Sequence, residues 1–175
     1  LLAGLAQETG VPAMLKGVAR IVFVGDSLTD GAAWPDWVVN TLRAQGMTGL
    51  TLHNAALCGD TVAKVKTRYA ADVLALKPDL VITCIGTNDA VTKVPPEQFR
   101  RDLDEMVVAI RNIGAKVLLL TPPFLENPEF NRRLVALNAV IAGIARERGC
   151  LIGDLHADCE ALVKSGTRIW GTDGI

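Results

Sequence analysis

The sequence predicts an α/β protein in which five parallel strands form one sheet between two layers of helices. Short β-branched or aliphatic runs alternate with longer stretches of helical spacing, and this alternation is typical of βαβ units. The strand runs are apolar at almost every position, as expected for strands that are buried on both faces. With right-handed crossovers, the expected result is a three-layer α/β/α domain.

Each predicted element follows from its own segment of sequence. Five apolar runs predict the strands, at residues 21–24, 50–54, 80–85, 116–120 and 151–154. The segments between and after them predict five helices, at residues 34–44, 61–76, 96–113, 128–148 and 157–164. Boundary residues support these assignments: Pro96 and Glu97 suit the first turn of a helix, while Gly114 and Gly149 suit helix ends.

Composition limits the classes of function. The 175 residues are half hydrophobic and suit one compact core. Positive and negative charges nearly cancel, with 18 Lys and Arg against 19 Asp and Glu, so no nucleic-acid partner is predicted. No apolar run approaches the roughly 20 residues that span a bilayer. No close cluster of metal ligands is evident, and we expect neither a metal nor an organic cofactor.

The two ends of the chain and its cysteines bear on domain organisation and location. We expect residues 1–19 to form a leader or helix that precedes a single domain at 20–175, whose C-terminal end is incomplete. The four cysteines contain no CxxC pair, so buried free thiols are expected, which slightly favours a reducing compartment. A secreted protein is not excluded, and the sequence leaves the oligomeric state open.

Small polar residues follow the first three predicted strands. They occur in GDSLTDG (residues 25–31), ALCGDT (56–61) and GTND (86–89). Because the carboxyl ends of parallel strands share one edge of the sheet, these turns should meet there. Together they offer the Ser27 hydroxyl, backbone N–H groups and the Asn88 amide, which is the equipment for acyl transfer.

Each of these residues also has a structural interpretation. Ser27 preceded by Asp26 suits a helix N-cap. Gly59 suits a turn with positive φ, and Asn88 suits a cap or an Asx turn. Asp26 and Asp30 are expected to hold the first turn through backbone N–H groups, near a helix N-terminus, rather than to act as a catalytic carboxylate pair.

The three motifs, in this order, resemble the first three blocks of the SGNH/GDSL hydrolase family. The resemblance covers the chain from about Arg20 onward and implies the flavodoxin-like fold of that family. It implies that Ser27 is the nucleophile, and that the N–H groups of Ser27 and Gly59 and the amide of Asn88 form the oxyanion hole.

The last block of that family reads Asp-x-x-His. Asp173 matches the aspartate that orients the base, and the histidine would be the next residue after Ile175. Three explanations are open: the histidine stands in an omitted tail, the chain has been shortened, or the natural protein lacks the base. We expect an omitted tail, because Asp173 is present where the base would need it. A Ser-His-Asp mechanism depends on that imidazole, so the chain without it should be nearly inactive. His53 and His156 are expected to be structural or surface residues.

These features predict a serine esterase that acts through an acyl-enzyme on short acyl groups, and the resemblance suggests acetylated carbohydrate. A thioesterase or lysophospholipase is the second hypothesis, with Trp34, Trp37 and Phe124 as candidate lining of an acyl channel. The third is an inactive module that binds an acetylated glycan without cleaving it.

Overall fold

The computed structural model describes residues 13–169, and their fold is the predicted one. Five strands form a single parallel sheet in the order β2-β1-β3-β4-β5, which is the flavodoxin-like order. The strands are β1 (Arg20–Gly25), β2 (Thr51–Asn54), β3 (Leu80–Cys84), β4 (Lys116–Leu120) and β5 (Leu151–Gly153).

Six α-helices connect or follow the strands. They are α1 (Trp34–Ala44), α2 (Val62–Asp72), α3 (Thr87–Val91), α4 (Pro96–Asn112), α5 (Pro128–Arg148) and α6 (Leu155–Lys164). Two short 3-10 turns, Ala13–Leu15 and Leu74–Leu76, complete the described elements. None of the helices within residues 13–169 is both long and apolar enough to cross a bilayer.

The sheet separates two apolar clusters, as a three-layer domain requires. On one face, α2, α4 and α5 pack on the alternate side chains that include Val22, Val24 and Val117. On the other face, α1 packs on Ile21 and Phe23. Both faces of β1 are therefore buried, which explains why its sequence is apolar at successive positions.

Three expectations about local structure were wrong. GTND is not a loop, because Thr87–Val91 forms helix α3. Ser27 is not a helix N-cap and has no helix N-terminus directly after it, because α1 begins only at Trp34, after Ala33. The predicted helix at residues 61–76 ends at Asp72, where Val73 leaves helical geometry and a 3-10 turn follows.

The cysteines are free, as predicted, but they are not all buried. Cys84 on β3 is buried, Cys150 and Cys159 are half-buried, and Cys58 is exposed. Cys58 lies in the turn after β2 rather than in a strand, so no core surrounds it. Most of the expected leader at 1–19 lies outside the described residues, as does Asp173.

Candidate active site

The turns after β1, β2 and β3 lie side by side, because β1 is the strand between β2 and β3. Their ends are also level. Phe23 pairs with Asn54, and Gly25, the last residue of β1, pairs with Cys84, the last residue of β3. The sheet therefore brings Ser27, Gly59 and Asn88 to one edge, as the sequence predicts.

The turn after β1 presents Ser27 to solvent. The Asp26 carbonyl accepts hydrogen bonds from the N–H groups of Thr29 and Asp30, both at 2.9 Å, and the Asp26 side chain accepts one from the Leu28 N–H at 3.0 Å. Asp26 and Thr29 are buried, whereas Ser27 between them is exposed. The turn thus fixes the backbone around Ser27 and leaves its hydroxyl accessible.

The turn after β2 is tied directly to the first. Asp30 accepts a hydrogen bond from the Cys58 N–H at 2.9 Å, and the Leu57 N–H donates to the Gly25 carbonyl at 3.3 Å. The following residue, Gly59, has a φ of 77°, a conformation that side chains disfavour. Asp26 holds the first turn through a backbone N–H as expected, whereas Asp30 binds an N–H of the second turn. The helix N-terminus expected near them is absent, because α1 begins only at Trp34.

Asn54 is a connecting residue to which the sequence analysis gave no role. Its side-chain amide donates to the Thr29 carbonyl at 2.8 Å, and its side-chain oxygen accepts from the Ala56 N–H at 3.1 Å. It therefore bridges the first two turns. An asparagine as the last residue of a strand is the signal that could have identified it.

Helix α3 supplies the third group. The Asn88 side-chain nitrogen donates to the Asp60 carbonyl at 2.9 Å, which leaves its second N–H available. Gly86 precedes the helix with a φ of 132°, and a Cβ there would lie 3.1 Å from Pro122. The positive φ strongly favours glycine at this position, and the close approach of Pro122 adds to that preference.

Two backbone donors at this edge have no partner in the part of the chain that the structure describes. Within residues 13–169, the N–H groups of Ser27 and Gly59 donate no hydrogen bond to another described group. Ser27 is exposed and Gly59 is half-buried, so neither residue is shut away from a ligand at this edge. Two free N–H groups, the second Asn88 N–H and an exposed serine hydroxyl are the groups that attack on a carbonyl and stabilisation of its oxyanion require.

Buried carboxyl groups lie behind the turns. Burial raises the pKa of Asp89 to about 6, although the hydrogen bond that its carboxylate accepts from the Val62 N–H lowers the pKa in part. Burial also raises the pKa of Asp26, which the Leu28 N–H and the Thr87 hydroxyl lower in part. Asp60 is buried as well, in an ion pair with Arg68. The sequence analysis gave Asp60, Asp89 and Arg68 no role.

The two histidines lie apart from these turns. His53 is exposed on β2, and its register partner is Val22, within β1. His156 is buried in the first turn of α6, after the edge strand β5, with its ring 5.4 Å from that of Phe124. Neither residue belongs to the three turns, and the structural or surface role expected for both stays a prediction.

The comparisons with known proteins identify the family of the chain. The model of the GDSL-like lipase/acylhydrolase family matches residues 23–175. The chain belongs to this family. An acetylxylan esterase from Geobacillus stearothermophilus is 27% identical, over 83% of this chain and 80% of its own length. Esterase TesA from Pseudomonas aeruginosa is 40% identical, over 57% of this chain and 52% of its own length.

Solved structures of family members have the same fold. The structure of the acetylxylan esterase Axe2 from Geobacillus stearothermophilus superposes with a TM-score of 0.77 and 27% identity, over 85% of this chain and 81% of that chain. Three further structures are described as catalytic mutants of Axe2, in which a serine, an aspartate or a histidine is replaced by alanine. The aspartate and the histidine lie three positions apart in that enzyme.

Proposed function

We propose that this protein is a serine esterase that removes acetyl groups from carbohydrate through an acyl-enzyme on Ser27. The observation that carries the proposal is the exposed Ser27 hydroxyl at the sheet edge where the N–H groups of Ser27 and Gly59 have no partner among residues 13–169. The second Asn88 N–H completes a set of three donors for one oxygen. This combination serves acyl transfer and has no evident structural purpose.

The reaction proceeds in two halves. The Ser27 oxygen attacks the ester carbonyl, a base takes the serine proton, and the oxyanion is held by the three donors. The base then protonates the sugar oxygen as the ester bond breaks, which leaves acetyl-Ser27. Water attacks this second ester in the same way, so that acetate leaves and the Ser27 hydroxyl is restored.

The base in this proposal is the histidine of an Asp-x-x-His block in which Asp173 is the aspartate. Asp173 matches that block in sequence, and the catalytic aspartate and histidine of Axe2 have the same spacing. In this pattern the histidine stands three residues after Asp173, at the position that follows Ile175. Asp173 would hold the imidazole in the tautomer that accepts the serine proton.

Two features support acetyl groups on carbohydrate as the substrate. Relatives from Geobacillus stearothermophilus and Xylanibacter ruminicola are acetylxylan esterases. The exposed Ser27 follows β1 in a short turn, and only six residues separate β2 from the N-cap Thr61 of α2. Turns of this length favour a shallow site for a small acyl group on a large alcohol.

One observation favours longer acyl chains as a second candidate. Leu57, two residues before Gly59, has 49% of its surface exposed, and an exposed leucine beside the oxyanion donors would suit an apolar acyl chain. A series of p-nitrophenyl esters from acetyl to octanoyl distinguishes the two substrates. Preference for acetyl supports the proposal, whereas equal or faster hydrolysis of octanoyl contradicts it.

The decisive experiment uses protein from the complete gene, with its mass checked by mass spectrometry. Release of acetate from acetylated xylooligosaccharides and hydrolysis of p-nitrophenyl acetate are measured for the wild type, Ser27→Ala and Asn88→Ala. We expect Ser27→Ala to lose at least about a thousandfold in kcat and Asn88→Ala to lose about 100- to 1,000-fold. Hydrolysis that survives in Ser27→Ala would overturn the proposed function, and binding of the glycan without hydrolysis would indicate a binding module.

A further inference from the structure

Asp60 connects two of the proposed oxyanion donors, the Gly59 N–H and the Asn88 amide. Both lie outside the turn after β1 that carries Ser27, which we call the nucleophile turn. It directly follows Gly59, and its N–H donates to the Leu57 carbonyl at 3.2 Å, which closes the turn that holds Gly59. Its own carbonyl accepts the hydrogen bond from the Asn88 side chain at 2.9 Å. A shift of the Asp60 backbone would therefore move the Gly59 and Asn88 donors together.

The side chain of Asp60 forms an ion pair with Arg68 of α2. Asp60 has only 6% of its surface exposed, and its carboxylate receives two hydrogen bonds from Arg68, from Nε at 3.2 Å and from Nη2. The remaining Nη1 of Arg68 donates to Asp72 at 2.8 Å. Both Arg68 donors reach the same Asp60 oxygen, Oδ2. The guanidinium is thus fixed between two carboxylates, and three hydrogen bonds define its position better than a single contact.

Helix α2 is itself anchored to the element that carries Asn88. The buried carboxylate of Asp89 accepts a hydrogen bond from the Val62 N–H at 3.2 Å, at the first residue of α2. Arg68 therefore binds Asp60 from helix α2, and the N-terminus of this helix is bonded to Asp89, the residue next to Asn88. Asp60, Arg68 and Asp89 form one connected support, which we call the Asp60 support.

We infer that Arg68 is a positioning residue for the esterase reaction, acting through Asp60 to hold the Gly59 and Asn88 donors in place. This inference rests on the proposed function. Arg68 touches neither the nucleophile nor the expected place of the substrate, so its loss should weaken stabilisation of the transition state more than binding of the ground state.

The test replaces Arg68 in the complete protein and measures kcat and KM separately with p-nitrophenyl acetate. Misplacement of catalytic groups by about 1 Å costs on the order of 100-fold. We therefore expect Arg68→Met to lower kcat by about 10- to 100-fold with KM changed less than about twofold. Arg68→Lys keeps the charge but not the guanidinium, and it should recover only part of kcat.

Arg148→Met is the matched control. Arg148 also pairs through Nε and Nη2 with one aspartate, Asp104, at 2.7 and 2.6 Å, but it lies at the last residue of α5, away from the three turns. We expect this variant to lose a comparable ion pair and to keep wild-type kcat. Thermal unfolding of each variant separates loss of the fold from loss of positioning.

Each outcome decides the inference. Wild-type kcat in folded Arg68→Met, or equal losses of kcat in Arg68→Met and Arg148→Met, would overturn it. If Arg68→Met does not fold, the kcat of Arg68→Lys decides the inference. Wild-type kcat in Arg68→Lys would overturn it, because a positive charge alone would then suffice and the position of the guanidinium would not matter. Activity that survives in Ser27→Ala refutes the proposed function instead, so the two failures are distinguishable.

Discussion

Replacement of Gly25 by alanine should destabilise the protein through a clash at the base of the nucleophile turn. A Cβ at this position would lie 2.4 Å from the Thr29 hydroxyl oxygen and 2.8 Å from the Cys84 carbonyl oxygen. Ordinary contacts between carbon and oxygen are about 3.3 Å or longer. The Cys84 oxygen belongs to the neighbouring strand β3, so the overlap cannot be relieved by a side chain alone.

The magnitude follows from two opposing effects. Overpacking of a buried site costs about 1–3 kcal/mol, and the upper end applies because one of the clashing atoms is backbone. The lower entropy of the unfolded alanine chain returns about 0.4–1 kcal/mol. We therefore expect Gly25→Ala to lower the free energy of unfolding by about 2 kcal/mol, which corresponds to about 4–8 °C in Tm for a chain of this size.

Urea unfolding followed by circular dichroism measures this effect, with Gly49→Ala as the control. A Cβ at Gly49 would meet no atom within 4 Å, so this variant should match or slightly exceed the wild type. The slope of the free energy against urea should stay constant, since the folded state keeps its extent. A free energy for Gly25→Ala within about 0.5 kcal/mol of the wild type would refute the packing argument.

Two further predictions concern buried acids and thiols. Because burial raises the pKa of Asp89 from 3.8 to about 6 in the folded protein, the folded state binds this proton more tightly, and stability from this group falls as pH rises between these values. Relative to Asp89→Asn, the wild type should gain about 2 kcal/mol when the pH is lowered from 7 to 4, as measured by urea unfolding at each pH. Among the thiols, exposed Cys58 should react with Ellman's reagent in the native protein, whereas Cys84, whose pKa burial raises to about 12, should react only after unfolding. Peptide mapping identifies the labelled residue.

Both predictions have clear contrary results. A difference in stability between the wild type and Asp89→Asn that is constant from pH 4 to pH 7 would contradict the raised pKa of Asp89. Labelling of Cys84 before Cys58 would contradict the burial that distinguishes these two thiols.

Much of the fold could be predicted from the sequence because the strands are buried on both faces. β1 and β3 are apolar at nearly every position and contact helices on both sides, so their runs stand out without any alternation. The strand at 116–120 and the helices at 34–44 and 128–148 have the predicted bounds. Strong caps explain the last of these, because Asn127 caps its start and Gly149 ends it with a φ of 61°.

Helix α3 could not be predicted from its pattern. It contains five residues, Thr87–Val91, which is little more than one turn and too short to show helical periodicity. Its formation depends on tertiary contacts, including the packing around Gly86 and the bond from Asn88 to Asp60. A motif of small polar residues therefore appears as a loop in the sequence and as a helix in the protein.

The position of the candidate site was predictable, but its support was not. Ser27, Gly59 and Asn88 follow strands whose ends meet, so topology alone brings them together. The bond between Asp89 and Val62 joins residues 27 positions apart, and no spacing rule indicates such a pair. Arg68 lies on a helix where a charged residue normally faces solvent, and only the fold reveals that it pairs with buried Asp60.

The fluorescence of Trp34 can report on the nucleophile turn, because its indole is bonded to that turn. Its indole N–H donates to the Leu28 carbonyl at 2.9 Å, and its ring meets the edge of Phe23 at a centroid distance of 5.2 Å. Indole emission depends on this hydrogen bond, so movement of the residue next to Ser27 changes the spectrum. With every other tryptophan of the complete protein replaced by phenylalanine, among them Trp37 and Trp170, Trp34 is an internal optical reporter of the turn during acylation, with no dye attached.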